Sequence, residues 1–395
     1  MLAHPILARW RALFEKHAFA SLMTANFSFF MGFATFFLLP KYLITVLQAQ
    51  EAQVGTIMAC YGLVMVACLP AIGSGSDRHG RRPFLILGAV LLGTTAVAFA
   101  AIRELGPWPY ILRGLQGLAF ACWFVNASTL AVDVVDPARR GSALGLFGVS
   151  TLITYGLAPA LAEYIAQIWG FAPVFLSALA WSGLALALSF IQSTPAMKSD
   201  HPKPAVSRSW RQLALEPVLG TICVSALLMG SAFGTVLVFS QAQALARGIM
   251  PTTTLALAFA LTSIVMRLGF SHLADSSGRR TVLILSLLAM AAGTGVLGIV
   301  QGVGLYALCG VLVGVGHSLA YPTLNVMLIN HLPSHEHGRG MSLFVAAFNT
   351  GTILAQFGLG LAIPVVGLSG IFILAALLVI SALGPVIRAT AKVRQ

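Results

Sequence analysis

The sequence predicts an all-α membrane protein with twelve transmembrane helices in two pseudo-symmetric six-helix bundles. Three observations lead there. Hydrophobic residues make up 58% of the 395 positions and charged residues only 9%, too few charges to cover a water-soluble domain. Apolar runs recur from end to end, each long enough to cross ~30 Å of hydrocarbon at ~1.5 Å per residue. Short motifs repeat at an offset close to 198 residues, so the chain reads as two copies of one unit.

Taken in order, the runs fall at about 18–40, 52–73, 83–102, 107–132, 141–164, 170–192, 217–240, 252–270, 281–300, 304–329, 340–362 and 365–387. A membrane-spanning barrel would show alternating segments of ~10 residues instead, so these runs are helices. The longest polar stretch, Ser193 to Glu216, contains Pro195, Pro202 and Pro204 and falls at the midpoint. It divides the chain into an N-terminal bundle (1–192), a cytoplasmic linker (193–216) and a C-terminal bundle (217–395). Eighteen Lys and Arg residues lie at the termini and even-numbered connections, against three (Lys41, Arg103 and Arg247) on the other side. That asymmetry puts both termini in the cytoplasm. The linker carries Lys198, Lys203, Arg208 and Arg211, which suit the anionic leaflet.

The repeat is seen in four places. Met31-Gly32 returns as Met229-Gly230, and Asp77-x-x-Gly80-Arg81-Arg82 as Asp275-x-x-Gly278-Arg279-Arg280. Arg140-Gly141 returns as Arg339-Gly340, and Gly170-x4-Phe175 as Gly367-x4-Phe372. Equivalent loops face one side, so the copies are parallel.

Several function classes are excluded. The net charge of +12 is confined to short connections between apolar runs, which argues against nucleic acid as a partner. Cys60, Cys68, Cys122, Cys223 and Cys309 sit inside apolar runs without metal-ligand spacing. No phosphate-binding loop, metal cluster or catalytic triad is visible, and every loop is too short for a soluble catalytic domain; an enzyme, a cofactor and a metal are not expected. The first apolar run is too long for a typical signal-peptide core and lacks a cleavage site, so no cleavable signal is expected.

The connection after the second run reads Gly73-Ser-Gly-Ser-Asp77-Arg78-His79-Gly80-Arg81-Arg82. It resembles the major facilitator superfamily signature between helices two and three, departing at Gly75 where leucine is usual. The second copy keeps Asp275, Gly278, Arg279 and Arg280 but has Ser271 and Ser276 for a glycine and a basic residue. Physically, Gly80 and Gly278 suit a tight turn. The Asp77 carboxylate can accept hydrogen bonds at a helix N-terminus, and the arginines can bridge to Asp133 or Asp136. The resemblance implies a major facilitator fold and a conformational latch formed by Gly73, Asp77, Arg78, Gly80, Arg81, Arg82, Asp275, Gly278, Arg279 and Arg280. Against it stands the plainer reading that the arginines only set topology.

The fourth run contains Arg113-Gly-Leu-Gln116-Gly117, similar to the superfamily's helix-four pattern, where relatives link the arginine to substrate and proton binding. A charge at this depth is expensive and rarely idle. The fifth run carries Gly148, Gly156 and Pro159 in loose likeness to an exporter motif, but has Ala158 and Ala162 where glycine is expected. His317, Tyr321 and Asn325 share one face of the tenth run at spacings of four. With Asn26, Arg113, Gln116, Asn126, Asn349 and Gln356 they form the candidate coupling and substrate cavity: runs three, nine and twelve hold no charged residue, His, Asn or Gln, run six only Gln192, and the resemblance implies that these four helices lie outside the cavity. His317 is equally a neutral imidazole bonded to a neighbouring helix, and the phenylalanines crowding the first run read as packing or lipid-facing. Arg267 is read as snorkelling near the second latch. No Asp or Glu lies at mid-membrane, which leaves Glu163, His317, a latch carboxylate or the substrate itself to carry a coupling proton.

The expectation is a secondary active transporter of a small organic solute, working by rocker-switch alternating access. Export, as an antiporter, is favoured over uptake of a metabolite, with the proton as the candidate coupling ion and a non-transporting receptor or assembly factor behind both. The expected setting is a bacterial inner membrane, the expected partners are substrate and lipids, and the expected state is a monomer.

Overall fold

A backbone without water nearby must pair its N–H and C=O groups within its own segment, and the apolar runs accordingly form helices. The computed structural model describes residues 17–135, 140–192, 210–269, 279–333 and 336–392. Among them ten helices are long and apolar enough to cross a membrane. The last of these, Arg339–Ile387, has 49 residues and covers two of the expected spans; Thr254–Gly269 is a shorter apolar helix.

By contacts the chain forms two compact units. The first comprises residues 1–42 and 63–199, the second residues 43–62 and 200–395. Helix α1 (His17–Thr45) contains a 3-10 turn at Phe36–Leu38. Its cause is local: Pro40 has no N–H for the carbonyl of Phe36, which takes that of Leu39 instead. Helix α2 (Glu51–His79) belongs to the second unit over its first turns and to the first unit thereafter. It outruns the expected span, so Gly73 to His79 are helical and the turn shrinks to Gly80 and Arg81. Gly80 has φ +82°, open to glycine at no steric cost, and Pro83 sits in the first turn of α3 (Arg82–Ala101). Then follow α4 (Trp108–Asp133), α5 (Arg140–Trp169) and α6 (Phe171–Phe190). In this unit α1 packs on α5 and α6, and α3 packs on α4 and α6.

The second unit holds a short helix, Trp210–Ala214, inside the expected linker, then α7 (Pro217–Ala246), α8 (Thr254–Gly269), α9 (Arg279–Val296) and α10 (Gly302–His331). Helix α11 (His337–Leu354) passes through a π-helical turn, Ala355–Leu359, into Gly360–Ser381. That last stretch is two helices meeting at Gly367, where φ 75° and ψ 165° break the helix; α12 is its part beyond the break. An amphipathic helix α13 (Leu383–Lys392) ends the described chain. Here α7 packs on α11 and α12, and α10 on α8 and α9.

The α7–α11 crossing is a backbone contact. A side chain at Gly230 would meet the carbonyl of Phe348, and one at Gly351 that of Leu227. Thr352 Oγ1 donates to the Gly230 carbonyl at 3.1 Å. Its repeat partner Gly32 meets α6 at Ala178 instead, so the repeated glycine serves different neighbours in the two units. Helix α7 starts on Glu216, whose carboxylate accepts from the N–H of Leu219 (2.7 Å) and Val218 (3.3 Å) and pairs with His331 Nε2 at 3.1 Å. Burial pushes this carboxyl up, but the Leu219 N–H, the His331 side chain and the Val218 N–H together hold it below the usual range.

Gly230→Leu is expected to overpack the crossing and cost about 1–3 kcal/mol or more, seen as a lower melting temperature in detergent. Glu216→Ala is expected to cost about 1 kcal/mol as a lost N-cap. Because the folded-state pKa is lowered, wild type's advantage over Glu216→Ala is present above the ordinary carboxylate pKa. It fades as pH falls through the folded-state value, which melting curves across pH will show.

Candidate functional site

The charged turn comes first. Arg81 is held at the start of α3 by the Gly80 turn, and its Nη1 donates to Oδ2 of Asp133 at the end of α4. This is one of the two acceptors expected from sequence, and it ties the α2–α3 turn to α4. Arg78 is exposed, and Arg82 lies over the Phe190 ring at 5.9 Å. Space around Gly73 is open. At Gly75 the Phe84 ring stands 2.8 Å from where a Cβ would sit, so a leucine there would have to displace that ring. The side chains of Asp77 and Arg279 are outside the described ones, as are Asp136, Asp275 and Gly278 altogether; Arg280 is exposed on α9.

Inside the first unit the expected polar residues are mostly tied to each other. Asn26 Nδ2 donates to Ser150 Oγ (2.9 Å) and Thr151 Oγ1 (3.2 Å), and its Oδ1 accepts from Trp123 Nε1 at 3.2 Å. One buried amide thus joins α1, α4 and α5. Arg113 Nη1 donates to Gln116 Oε1 at 2.7 Å, and Gln116 Nε2 to Thr95 Oγ1 of α3 at 3.4 Å. Arg113 is 2% exposed, so its charge is sheltered within the unit and does not snorkel outward. Asn126 Nδ2 bonds its own helix at the Cys122 carbonyl, while its buried Oδ1 has no partner. The Trp123 indole that donates to Asn26 also stacks on Phe29, with centroids 4.4 Å apart.

The phenylalanines of α1 are packing residues. Phe29, Phe30, Phe33, Phe36 and Phe37 are all buried. Phe30 and Phe33 meet Phe120 of α4, and Phe37 meets Tyr155 of α5.

In the second unit His317 is buried and stacked against Phe233 of α7 (4.8 Å) and Tyr321 (5.6 Å), with Phe348 of α11 edge-on at 5.9 Å. Its Nδ1 has no hydrogen-bond partner, nor has Oδ1 of buried Asn325. The structure therefore gathers His317, Tyr321 and an aromatic wall, rather than bonding His317 to a neighbouring helix. Asn349 Nδ2 bonds its own helix at the Val345 carbonyl. Gln356 lies in the π-helical turn with its buried Oε1 unpartnered.

Sequence reading missed one pair. Lys41, counted there as a topology signal, donates from Nζ to Glu163 Oε1 at 2.6 Å. Both are buried, at 8% and 1% exposure. The signal was present in Glu163 near the end of an apolar run, but its partner lies 122 residues away.

Comparisons with known proteins show the family and the fold. The family model described as Major Facilitator Superfamily matches residues 21–266 and 248–393. The chain is 32% identical over 189 residues to the multidrug resistance protein MdtL of Escherichia fergusonii, and equally so to that of Escherichia coli K12 / DH10B. Each match takes in 46% of this chain and 48% of the relative, so the alignment spans about half the length of these curated proteins. Among solved structures, the nucleoside transporter NupG superposes with TM-score 0.73 at 12% identity, over 94% of this chain and 99% of that one. The human organic anion transporter MFSD10 does so with TM-score 0.69 at 13% identity, over the same shares. At such identities the likeness is one of fold.

Asn26→Leu is expected to strand the Trp123 indole N–H in the interior and cost about 1–3 kcal/mol, measured by thermal unfolding. Asp133→Asn and Arg81→Gln are expected to have closely similar effects, with the double variant no worse than either, as a double-mutant cycle would report.

Proposed function

The chain belongs to the major facilitator superfamily, and from that premise we propose that it is a secondary transporter exporting a small organic solute by alternating access, driven by proton antiport. The carrying observation is the α2–α3 turn: the superfamily signature is kept there and Arg81 reaches Asp133. A tie between helix ends that must be made and broken suits a cycle of two states; a static receptor has no use for one. The Asp77 and Asp275 turns then act as paired latches on the cytoplasmic side, with both termini on that side as the basic residues suggest.

Export is supported by the likeness to multidrug resistance proteins over half their length. The cavity residues are Arg113, Gln116 and Asn126 in the first unit, and His317, Tyr321, Asn325, Asn349 and Gln356 in the second, with Asn26 as their structural brace. Aromatic walls around His317 and on α1 and α4 favour an amphipathic cargo with a planar group, and sheltered Arg113 admits an anionic one. Uptake of a metabolite is the second reading. Ala158 and Ala162 favour it, since both are buried in α5 where exporters carry glycine. The protein acts as a monomer in a bacterial inner membrane, with twelve spans in bundles 1–192 and 217–395 joined by the linker 193–216.

Metabolites inside and outside cells overexpressing the protein are to be compared with those of cells expressing Asp77→Asn. A compound enriched outside only with wild type supports export; one depleted from the medium and accumulated inside replaces export by uptake; no difference with a folded, membrane-inserted protein in rich medium removes the transporter reading. Arg113→Ala is expected to reduce that flux to the background of empty cells at normal expression. Unchanged flux would make Arg113 a structural brace.

A further inference from the structure

Lys41 and Glu163 are the inner surprise of the first unit. Among the described residues Glu163 and Glu336 are the buried carboxylates, and Glu336 stands at the cap of α11, outside its helix. Glu163 is therefore the buried carboxylate within a described spanning helix. A buried ion pair is seldom a gain in stability over an apolar pair of similar size, because desolvating both charges offsets their attraction. The fold has an apolar alternative to hand. At the repeat offset of 198, Lys41 corresponds to Phe239 and Glu163 to Leu361, so the second copy is built without charges at these places.

The pair also sits where both helices are weak. Lys41 follows the 3-10 turn Phe36–Leu38 and Pro40. Glu163 follows Pro159, inside α5, by one turn. Neither proline can donate a helix hydrogen bond, so each helix bends more easily there than elsewhere. One turn before Lys41, Phe37 packs edge to face on Tyr155 (4.8 Å), and the neighbouring residues Leu38 and Ala162 join Val174 in a small apolar cluster. The pair lies at the end of the unit remote from the Gly80 turn.

We propose that Glu163 is the binding site of the coupling proton and that its ion pair with Lys41 is the clasp the proton opens. One proton from solution converts the carboxylate to a carboxylic acid. The charge attraction that drew the two side chains together is then lost. With that tie weakened, the outer ends of α1 and α5 part at their proline-weakened turns. Other titratable or charged side chains on the packed elements at this end are Tyr42 on α1, Tyr155 and Tyr164 on α5, and Tyr110 and Arg113 on α4. Arg103 and Glu104 stand in the connection before α4, while α6 carries none. This deepens the transporter reading and rests on it; its test reads protonation directly and needs no cargo.

The full chain, purified and placed in lipid nanodiscs, is to be titrated while infrared difference spectra and hydrogen exchange are recorded. Wild type is expected to show the C=O band of a protonated carboxyl in an apolar site growing as pH falls, with exchange at residues 36–45 rising in step after correction for intrinsic rates. Glu163→Gln is expected to lack that band and to exchange rapidly at residues 36–45 at every pH. A band that survives Glu163→Gln, or wild-type exchange there that ignores pH, would overturn the proposal and leave the pair as a permanent staple. Should Glu163→Gln fail to fold, Glu163→Asp decides: a displaced C=O band assigns the proton to position 163, and an undisplaced one overturns the assignment. Either result leaves the metabolite comparison, and so the transporter reading, to stand or fall by itself.

Discussion

Everything in this chain follows from the cost of an unpaired polar group away from water. Backbone groups meet it by forming helices throughout, and the few breaks are those the sequence compels. Pro40 removes a donor and α1 tightens to 3-10; Gly367 takes a left-handed conformation and one long apolar stretch becomes two helices. With the hydrophobic effect weak between helices in lipid, what holds them is close approach and interhelical hydrogen bonding. The backbone contact of α7 with α11 through Gly230 and Gly351 is the clearest case, sealed by Thr352 on the Gly230 carbonyl.

Polar side chains obey the same rule and so divide into two kinds. Asn26 has its amide fully engaged, tying α1, α4 and α5, and such a residue fixes geometry. Gln116 does the same between Arg113 and α3. His317, Asn325, Asn126 and Gln356 keep a buried atom without a partner. A buried atom left unsatisfied is a standing cost, and groups of this kind are where a cargo, water or a proton has most to offer. The two sets differ in their surroundings too: the satisfied residues are concentrated in the first unit, and the second unit sets His317 among aromatic rings.

The helix-level pattern was legible because it is written in composition and spacing. Apolar length, the basic asymmetry and the 198-residue repeat need only the order of residues, and the Asp77 to Arg82 signature needs only its neighbours. The acceptor for Arg81 was narrowed to Asp133 and Asp136 because both stand near the end of the fourth run. Boundaries were less legible. Helix α2 continues through Gly73 to His79, since glycine and serine only lower helix propensity and do not end a helix that packing supports. Side chains on a run long enough to snorkel or turn inward were also ambiguous, and Arg113 turns inward.

The sequence alone therefore determined that this is a helical membrane protein, roughly where its apolar helices lie, and which motif sits between α2 and α3. It could do so because a helix in lipid satisfies its backbone locally, within a few residues. Only the tertiary structure decided which polar residues meet. Lys41 finds Glu163 across 122 residues, and Asn26 finds Ser150 and Thr151 across 124 and 125. Those pairings depend on which faces α1, α4 and α5 present to one another, and side-chain partnership across helices leaves no period in the chain.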